Sequence, residues 1–239
     1  MVRQHEYDQH FLRSPRLVAE LIGHSNIRKN DLVYDLGAGS GVITAVLAKR
    51  VKHVVAIENE PKVIDKLRHN MQMFDNITII NDDIENVVMS KDAYKIFANP
   101  PFSLSSKIIE KFVFTNNSPK SIYLIVQKQF ALKIVPSDTR FTSRLGVLIY
   151  PWYSTRIRKP LKRSDFTPPP NVDTVLLEIR KRDTPQIDSN REQAYIDFVK
   201  TMFQDNEAFR KVAGKFLENR PSVKPSELPI ETWLKIFRD

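Results

Sequence analysis

Asn99-Pro100-Pro101-Phe102 lies about sixty residues after Asp35-Leu-Gly37-Ala-Gly39-Ser-Gly41, and the two motifs imply complementary chemistry. An asparagine amide oxygen and the next backbone carbonyl, that of Pro100, can accept both hydrogens of an exocyclic amino group. That favours rehybridisation of the nitrogen toward sp³ and frees its lone pair for in-line attack on a sulfonium methyl. The prolines hold the turn rigid, and Phe102 offers a face on which an extruded base can stack, worth ~1–3 kcal/mol. Three of the six glycines fall within five residues, where positive φ and close approach of a ligand are both permitted. A G-x-G-x-x-G dinucleotide fingerprint fails because Val42 stands at the third glycine position. Asn-Pro-Pro alone would read as a strand-ending turn, and the glycines alone as a turn without a ligand. Together they imply methyl transfer from S-adenosylmethionine to the exocyclic nitrogen of a nucleobase. The sulfonium is already an excellent leaving group, so no metal and no strong general base is expected.

These motifs need elements to hold them. Asp31–Leu36 reads as a buried strand and the stretch after Gly41 as a helix, a unit that places a ligand at the strand's carboxyl end near a helix N-terminus. His53-Val-Val-Ala-Ile-Glu58 repeats the apolar run and ends in an acid placed to accept ribose hydroxyls. Ile77-Thr-Ile-Ile-Asn-Asp-Asp83-Ile84 follows, with Asp83 a candidate acceptor for an adenine amino group, Ile84 a packing surface for the ring, and Asp82 the rival acid. A lone acid after a strand is more often a helix cap, but three successive strand ends are less easily dismissed. Periodicity predicts strands near 32–36, 53–58, 77–81, 95–98, 121–127, 145–153 and 172–180. Helices are predicted near 15–22, 41–51, 61–73, 105–114, 128–134, 191–204, 206–219 and 226–237. Such alternation argues for an α/β, doubly wound, mostly parallel sheet. The expected division is a catalytic domain over 1–182 and a small helical domain over 183–239.

Composition narrows the class. The chain has 239 residues and no cysteine, which excludes disulfides and thiolate metal sites. Its start lacks the apolar core of a signal peptide and no stretch approaches ~18 apolar residues, so a cytoplasmic protein with no membrane partner is expected. The formal net charge is +9. Residues 1–182 hold 28 Lys and Arg against 18 Asp and Glu, 183–239 hold 9 against 10, and 128–182 alone hold 12 against 4. Arg156, Arg158, Lys159, Lys162 and Arg163 therefore form the candidate contact for a polyanion such as RNA; a solvated basic face is the alternative.

Gln9-His10-Phe11-Leu12, the glycine motif, Glu58, Asp83-Ile84, Asn99-Pro-Pro-Phe102 and Phe166-Thr-Pro168-Pro-Pro170-Asn-Val172-Asp173 resemble, in type and order, the ribosomal RNA adenine dimethyltransferases. The resemblance is strong over 1–182 and loose beyond. It implies a class I methyltransferase (Rossmann-like) fold with S-adenosyl-L-methionine as cofactor. The implied cofactor contacts are His10, Leu12, Gly37, Gly39, Glu58, Asp83, Ile84 and Asn99, and the implied catalytic residues Asn99, Pro100 and Phe102. His10 stands where asparagine is commoner, and Pro100 where Ile or Leu is usual. The N-terminal arm (Arg3, His5-Glu-Tyr-Asp), Phe102 and the tail Leu228…Trp233-Leu-Lys-Ile-Phe237 look Erm-like. This implies a monomeric 23S rRNA adenine N6-methyltransferase of the macrolide-resistance kind. A KsgA-type small-subunit rRNA dimethylase is the runner-up. A non-catalytic RNA-binding factor would have no need of Glu58, Asp83 and Asn99, and a DNA adenine methyltransferase is disfavoured by the 9–12 and 166–170 segments.

Overall fold

The structure, a computed structural model, describes residues 10–136, 141–216 and 223–239. The arm with Arg3, His5–Asp8 and Gln9, residues 217–219 of the expected helix, and Pro221 lie outside the described residues.

In chain order the elements are β1 (Phe11–Leu12), α1 (Pro15–Gly23), β2 (Leu32–Leu36), α2 (Val42–Ala48), β3 (His53–Glu58), α3 (Pro61–Met71), β4 (Ile77–Asn81), β5 (Tyr94–Ala98) and α4 (Ser105–Val113). They continue with β6 (Ser121–Gln127), α5 (Lys128–Leu132), α6 (Arg144–Ile149), β7 (Tyr153–Leu161), β8 (Phe166–Thr167), β9 (Thr174–Lys181), α7 (Glu192–Gln204), α8 (Asn206–Ala213) and α9 (Ile230–Arg238). The start of α1 is set locally: the Ser14 hydroxyl accepts from the Leu17 N–H, and Pro15 occupies the first turn, where no N–H is missed.

Seven strands form one sheet in the order β4-β3-β2-β5-β6-β9-β7, and β1 pairs antiparallel with β8 in a separate two-stranded sheet. The β4–β3, β3–β2, β2–β5 and β5–β6 pairs are parallel, with Leu36 opposite Ile57 and Glu58 opposite Asn81. The strands β2, β3, β5 and β6 are buried nearly along their whole length, as parallel strands covered on both faces must be. From β2 the chain steps outward to β3 and β4, then returns to the other side of β2 as β5. The strand order therefore reverses beside β2, where a crevice opens at the carboxyl ends.

Two expected elements differ. Residues 145–149 form a helix, and the strand begins only at Tyr153. Leu145-Gly-Val-Leu-Ile149 is buried throughout, so its apolar run carries no period that separates helix from strand. The Ser143 hydroxyl decides locally by accepting from the Gly146 N–H at 3.0 Å. In the tail, the last helix starts at Ile230 rather than 226, behind a 3-10 turn at Pro225–Glu227.

Contacts group the chain into two compact units, one running to Lys128 and including Ile157–Ile179, the other Gln129–Arg156 with Arg180–Asp239. These units do not coincide with the expected division at 182/183: α6 and the first residues of β7, Tyr153–Arg156, group with the C-terminal helices, although β7 is a strand of the seven-stranded sheet. The reason is their apolar content. Val147 and Leu148 share a core with Tyr195, Val199, Phe209 and Trp233, and the buried Tyr195 hydroxyl donates to the Val147 carbonyl at 3.0 Å. Trp233 stacks between Phe203 and Phe209, with centroids at 5.1 and 5.7 Å. Among the described residues no helix is long and apolar enough to cross a membrane.

Gly41 ends the loop after β2 with φ +94° and caps α2. A Cβ there would stand 2.8 Å from both Leu67 Cδ1 and Met71 Cε on α3. Gly41→Ala combines backbone strain with a steric clash and is expected to destabilise the protein by about 1–3 kcal/mol, read as a lower urea midpoint.

Candidate active site

Four strand ends converge on one cleft. Gly37, Gly39, Glu58, Asp83, Ile84, Asn99, His10 and Leu12, the eight residues expected to hold the cofactor, all line it. Pro100 and Phe102 do not; both are buried beside it.

Glu58 is buried at the exit of β3. Its Oε2 accepts the Gly39 N–H at 2.8 Å, and its Oε1 accepts those of Asn59 and Glu60, each at 3.0 Å. One carboxylate thereby ties the glycine loop to the end of β3. A carboxylate offers about four lone-pair sites, so three backbone donors leave one for a ribose hydroxyl, and the group fits an adenosyl ligand. Gly37 and Gly39, with positive φ of 69° and 56°, add no Cβ to this wall, and the half-exposed Phe11 ring lies 3.5 Å from where a Gly39 Cβ would be.

Asp82 and Asp83 both reach the cleft. Asp82 Oδ1 is occupied by the Asp83 N–H and the Asn86 amide. Asp83 Oδ1 accepts from the Glu85 N–H at 2.8 Å, and its Oδ2 accepts from Asn59 Nδ2 at 3.3 Å. Both acids therefore serve as turn caps. Asn59 was not anticipated from sequence. Its only signal was adjacency to Glu58, and an exposed asparagine after a strand is ordinarily a turn residue.

At β5 the chain leaves the sheet directly into Asn99. The Asn99 amide nitrogen donates to the His10 carbonyl at 2.7 Å. That bond fixes the amide rotamer and leaves Oδ1 as an acceptor. His10 is itself held, because β1 pairs with β8 with Phe11 opposite Thr167 and Leu12 opposite Phe166. Its ring Nδ1 lies 2.8 Å from the Pro168 carbonyl. A carbonyl only accepts, so Nδ1 carries the proton in this contact. The His10 ring faces Phe102 with centroids 5.4 Å apart and planes tilted by 32°. Phe102, expected to receive the base, thus has an aromatic neighbour already.

Asp35 sits below the glycine loop, fully buried. Its Oδ2 accepts the Thr44 hydroxyl at 2.6 Å, whereas Oδ1 has no hydrogen-bond partner. Burial pushes its pKa up to about 7; the Thr44 hydrogen bond opposes this and the nearby Glu58 charge adds to it.

The five expected RNA contacts are not equivalent. Arg158 is half-buried; its Nε donates to the His24 carbonyl at 2.7 Å, and its guanidinium stands 3.8 Å from Glu178. Half-buried Lys159 pairs with Glu20. Lys162 and Arg163 are exposed, the latter 3.5 Å from Asp173. Arg156, also exposed, belongs to the helical unit. So do Arg144, Arg180, Lys181 and Arg182, which the 182/183 division had counted with the catalytic part.

Comparison with known proteins places this geometry in context. Residues 2–221 match the family model described as ribosomal RNA adenine dimethylase. An rRNA adenine N-6-methyltransferase of Bacillus licheniformis is 31% identical over 182 residues, 74% of this chain and 62% of that protein. The chain therefore spans less than two thirds of that relative's length. A ribosomal RNA small subunit methyltransferase A of Clostridium acetobutylicum is 25% identical over 201 residues, 82% of this chain and 73% of that protein. In fold, the crystal structure of the 23S rRNA methyltransferase ErmE superposes with a TM-score of 0.81 at 22% identity, covering 95% of this chain and 98% of that one.

Asp35 has a measurable consequence. Its folded-state pKa is raised above the ordinary value of 3.8, so its contribution to stability is complete below about pH 4 and is lost as pH rises through 7. Full loss is of order 4 kcal/mol as an upper bound. Asp35→Asn keeps an acceptor for Thr44 and cannot ionise. Its melting temperature should exceed that of the parent at pH 8, with the gap narrowing steadily toward pH 5. A gap independent of pH would show that Asp35 is not the titrating group.

Proposed function

The chain belongs to the ribosomal RNA adenine dimethylase family, and from that premise we propose that it transfers methyl groups from S-adenosyl-L-methionine to the N6 nitrogen of an adenine in 23S rRNA. The observation that carries this reading is the convergence of Glu58, the glycine loop, Asp83 and Asn99 on one cleft at the strand-order reversal. The cofactor supplies the electrophilic sulfonium methyl. The chain's residues do the rest. Glu58 takes a ribose hydroxyl, Asp83 the adenine amino group, and Ile84 packs against the adenine ring. Asn99 Oδ1, turned inward by the His10 carbonyl, accepts one hydrogen of the target amino group, and the Pro100 carbonyl accepts the other. Phe102, buried beside the cleft rather than lining it and already neighboured by His10, is proposed to stack on the base once it is extruded into the site, and preorganised acceptors of this kind lower the barrier because they need no reorganisation during transfer. Chemistry then resides in the unit that contains the parallel sheet, within the 1–182 part of the sequence.

The choice of 23S rRNA rests on the Erm-like motifs and on the likeness in fold to the 23S rRNA methyltransferase ErmE. The small-subunit methyltransferases in the same family give the second reading, small-subunit rRNA. Incorporation of tritiated methyl mapped onto 23S and 16S rRNA decides between them; label in 16S alone would overturn the first. Protection of the ribosome from macrolides would follow from 23S methylation. For the chemistry, Asn99→Ala should abolish most turnover, whereas Phe102→Tyr, which keeps a π-face, should be nearly silent. Near-native single-turnover rates in Asn99→Ala would remove the amide oxygen from the mechanism.

RNA contact is the other measurable part. Arg158 and Lys159 are half-buried against His24, Glu178 and Glu20, so the phosphate contacts are proposed, on exposure alone, for Arg156, Lys162 and Arg163. Each phosphate contact removed flattens the slope of log affinity against log salt by ~0.7–0.9. Lys162→Gln with Arg163→Gln should flatten it and leave cofactor affinity unchanged, and Lys224→Gln with Lys235→Gln should do much less. A tail variant that loses more slope than the 162/163 variant would move the RNA to the tail.

A further inference from the structure

Asn59 joins two of the four acids that line the cleft, Glu58 and Asp83. Its backbone N–H is bound by Glu58 Oε1 at 3.0 Å, and its side-chain amide donates to Asp83 Oδ2 at 3.3 Å. The other Asp83 oxygen is bound by the Glu85 N–H at 2.8 Å. Asp83 is exposed, so without these two donors its carboxylate could rotate about χ2 and turn into water. Glu58, Glu60, Asp82 and Asp83 crowd the same cleft wall, where like charges push each other apart. A neutral donor between Glu58 and Asp83 bridges them without adding to that repulsion, and Asn59 does so with its backbone N–H on Glu58 and its side-chain amide on Asp83. We propose that Asn59 is a positioning residue for adenine recognition: it holds the Asp83 carboxylate facing the cleft so that it can accept from the 6-amino group of the cofactor. The contact needs an amide. An alanine leaves Oδ2 free to swing away, and an aspartate sets a carboxylate against Asp83.

This inference rests on the proposed S-adenosylmethionine site, so its test uses binding alone. S-Adenosylhomocysteine and its purine-riboside analogue, identical except for the missing 6-amino group, are titrated calorimetrically into the full chain. The parent protein should prefer the amino compound by about tenfold. Asn59→Ala should weaken S-adenosylhomocysteine five- to tenfold and leave the analogue within twofold, erasing the preference. Asn59→Asp should lose at least as much. Asn59 is exposed, so both variants should keep the parent's melting temperature. Glu58→Ala, acting on the ribose, should weaken both compounds equally. Equal weakening of both by Asn59→Ala, or no weakening of either, overturns the role of Asn59 alone. A parent protein that binds neither compound overturns the cofactor assignment and this proposal with it.

Discussion

The strand order reverses at β2, and nearly every functional feature follows from that reversal. Chains leaving β2 and β5 at their carboxyl ends diverge to opposite sides, which opens a crevice between neighbouring parallel strands. The glycine loop leaves β2 and the Asn-Pro-Pro turn leaves β5, so the two motifs become neighbours although some sixty residues separate them. The carboxyl end of β3 adds Glu58, one strand further out. Its carboxylate ties the loop to that strand through the Gly39, Asn59 and Glu60 N–H groups. A carboxylate bound by several backbone N–H groups makes charge-assisted bonds stronger than neutral ones. The loop that holds the ligand is thereby rigid before a ligand arrives.

Rigidity also reaches the catalytic amide. An asparagine in a turn can present either its oxygen or its nitrogen, and a flip would replace an acceptor with a donor. The His10 carbonyl removes that freedom by accepting from Nδ2. It is held in place by the two-residue pairing of β1 with β8 and by the bond from its ring to Pro168. A segment near the start of the chain and another near residue 167 therefore cooperate in orienting Asn99. Asp35 shows the opposing tendency: a carboxylate with one satisfied oxygen, buried under the loop, at a cost to stability once ionised. Buried polar groups left partly unpaired are common where function rather than stability sets the residue.

Helical packing changes the meaning of the charge distribution. Counting along the chain makes the tail neutral and the preceding segment basic. Folding assigns residues 129–156 and 180–182 to the helical unit, carrying Arg144, Arg156, Arg180, Lys181 and Arg182 with them. It also engages Arg158 and Lys159 with partners inside the sheet unit. A basic stretch in sequence is therefore not wholly available to a polyanion.

Sequence alone carried the α/β class, the parallel strands from β2 to β6, the cap of α1 and eight of the residues that line the cleft, His10 and Leu12 among them through the family resemblance only. Those rest on local signals: apolar runs of strand length, glycine where φ must be positive, acids directly after strands, and motif order. Tertiary structure decided what depends on partners distant in the chain. Residues 145–149 became a helix because uniform burial erased their period, and the unit boundary moved because Val147 and Leu148 found their apolar partners among the C-terminal helices. Asn59 joined the site only because β3 and β4 are adjacent, which brings Asp83 within reach of its amide. Whether Arg158 and Lys159 are free likewise depended on the position of α1, since His24 and Glu20 lie more than 130 residues before them. Residue type and spacing specify which groups can do chemistry. Long-range packing sets which of them meet, because contact energies are gained only after the fold has brought their partners together.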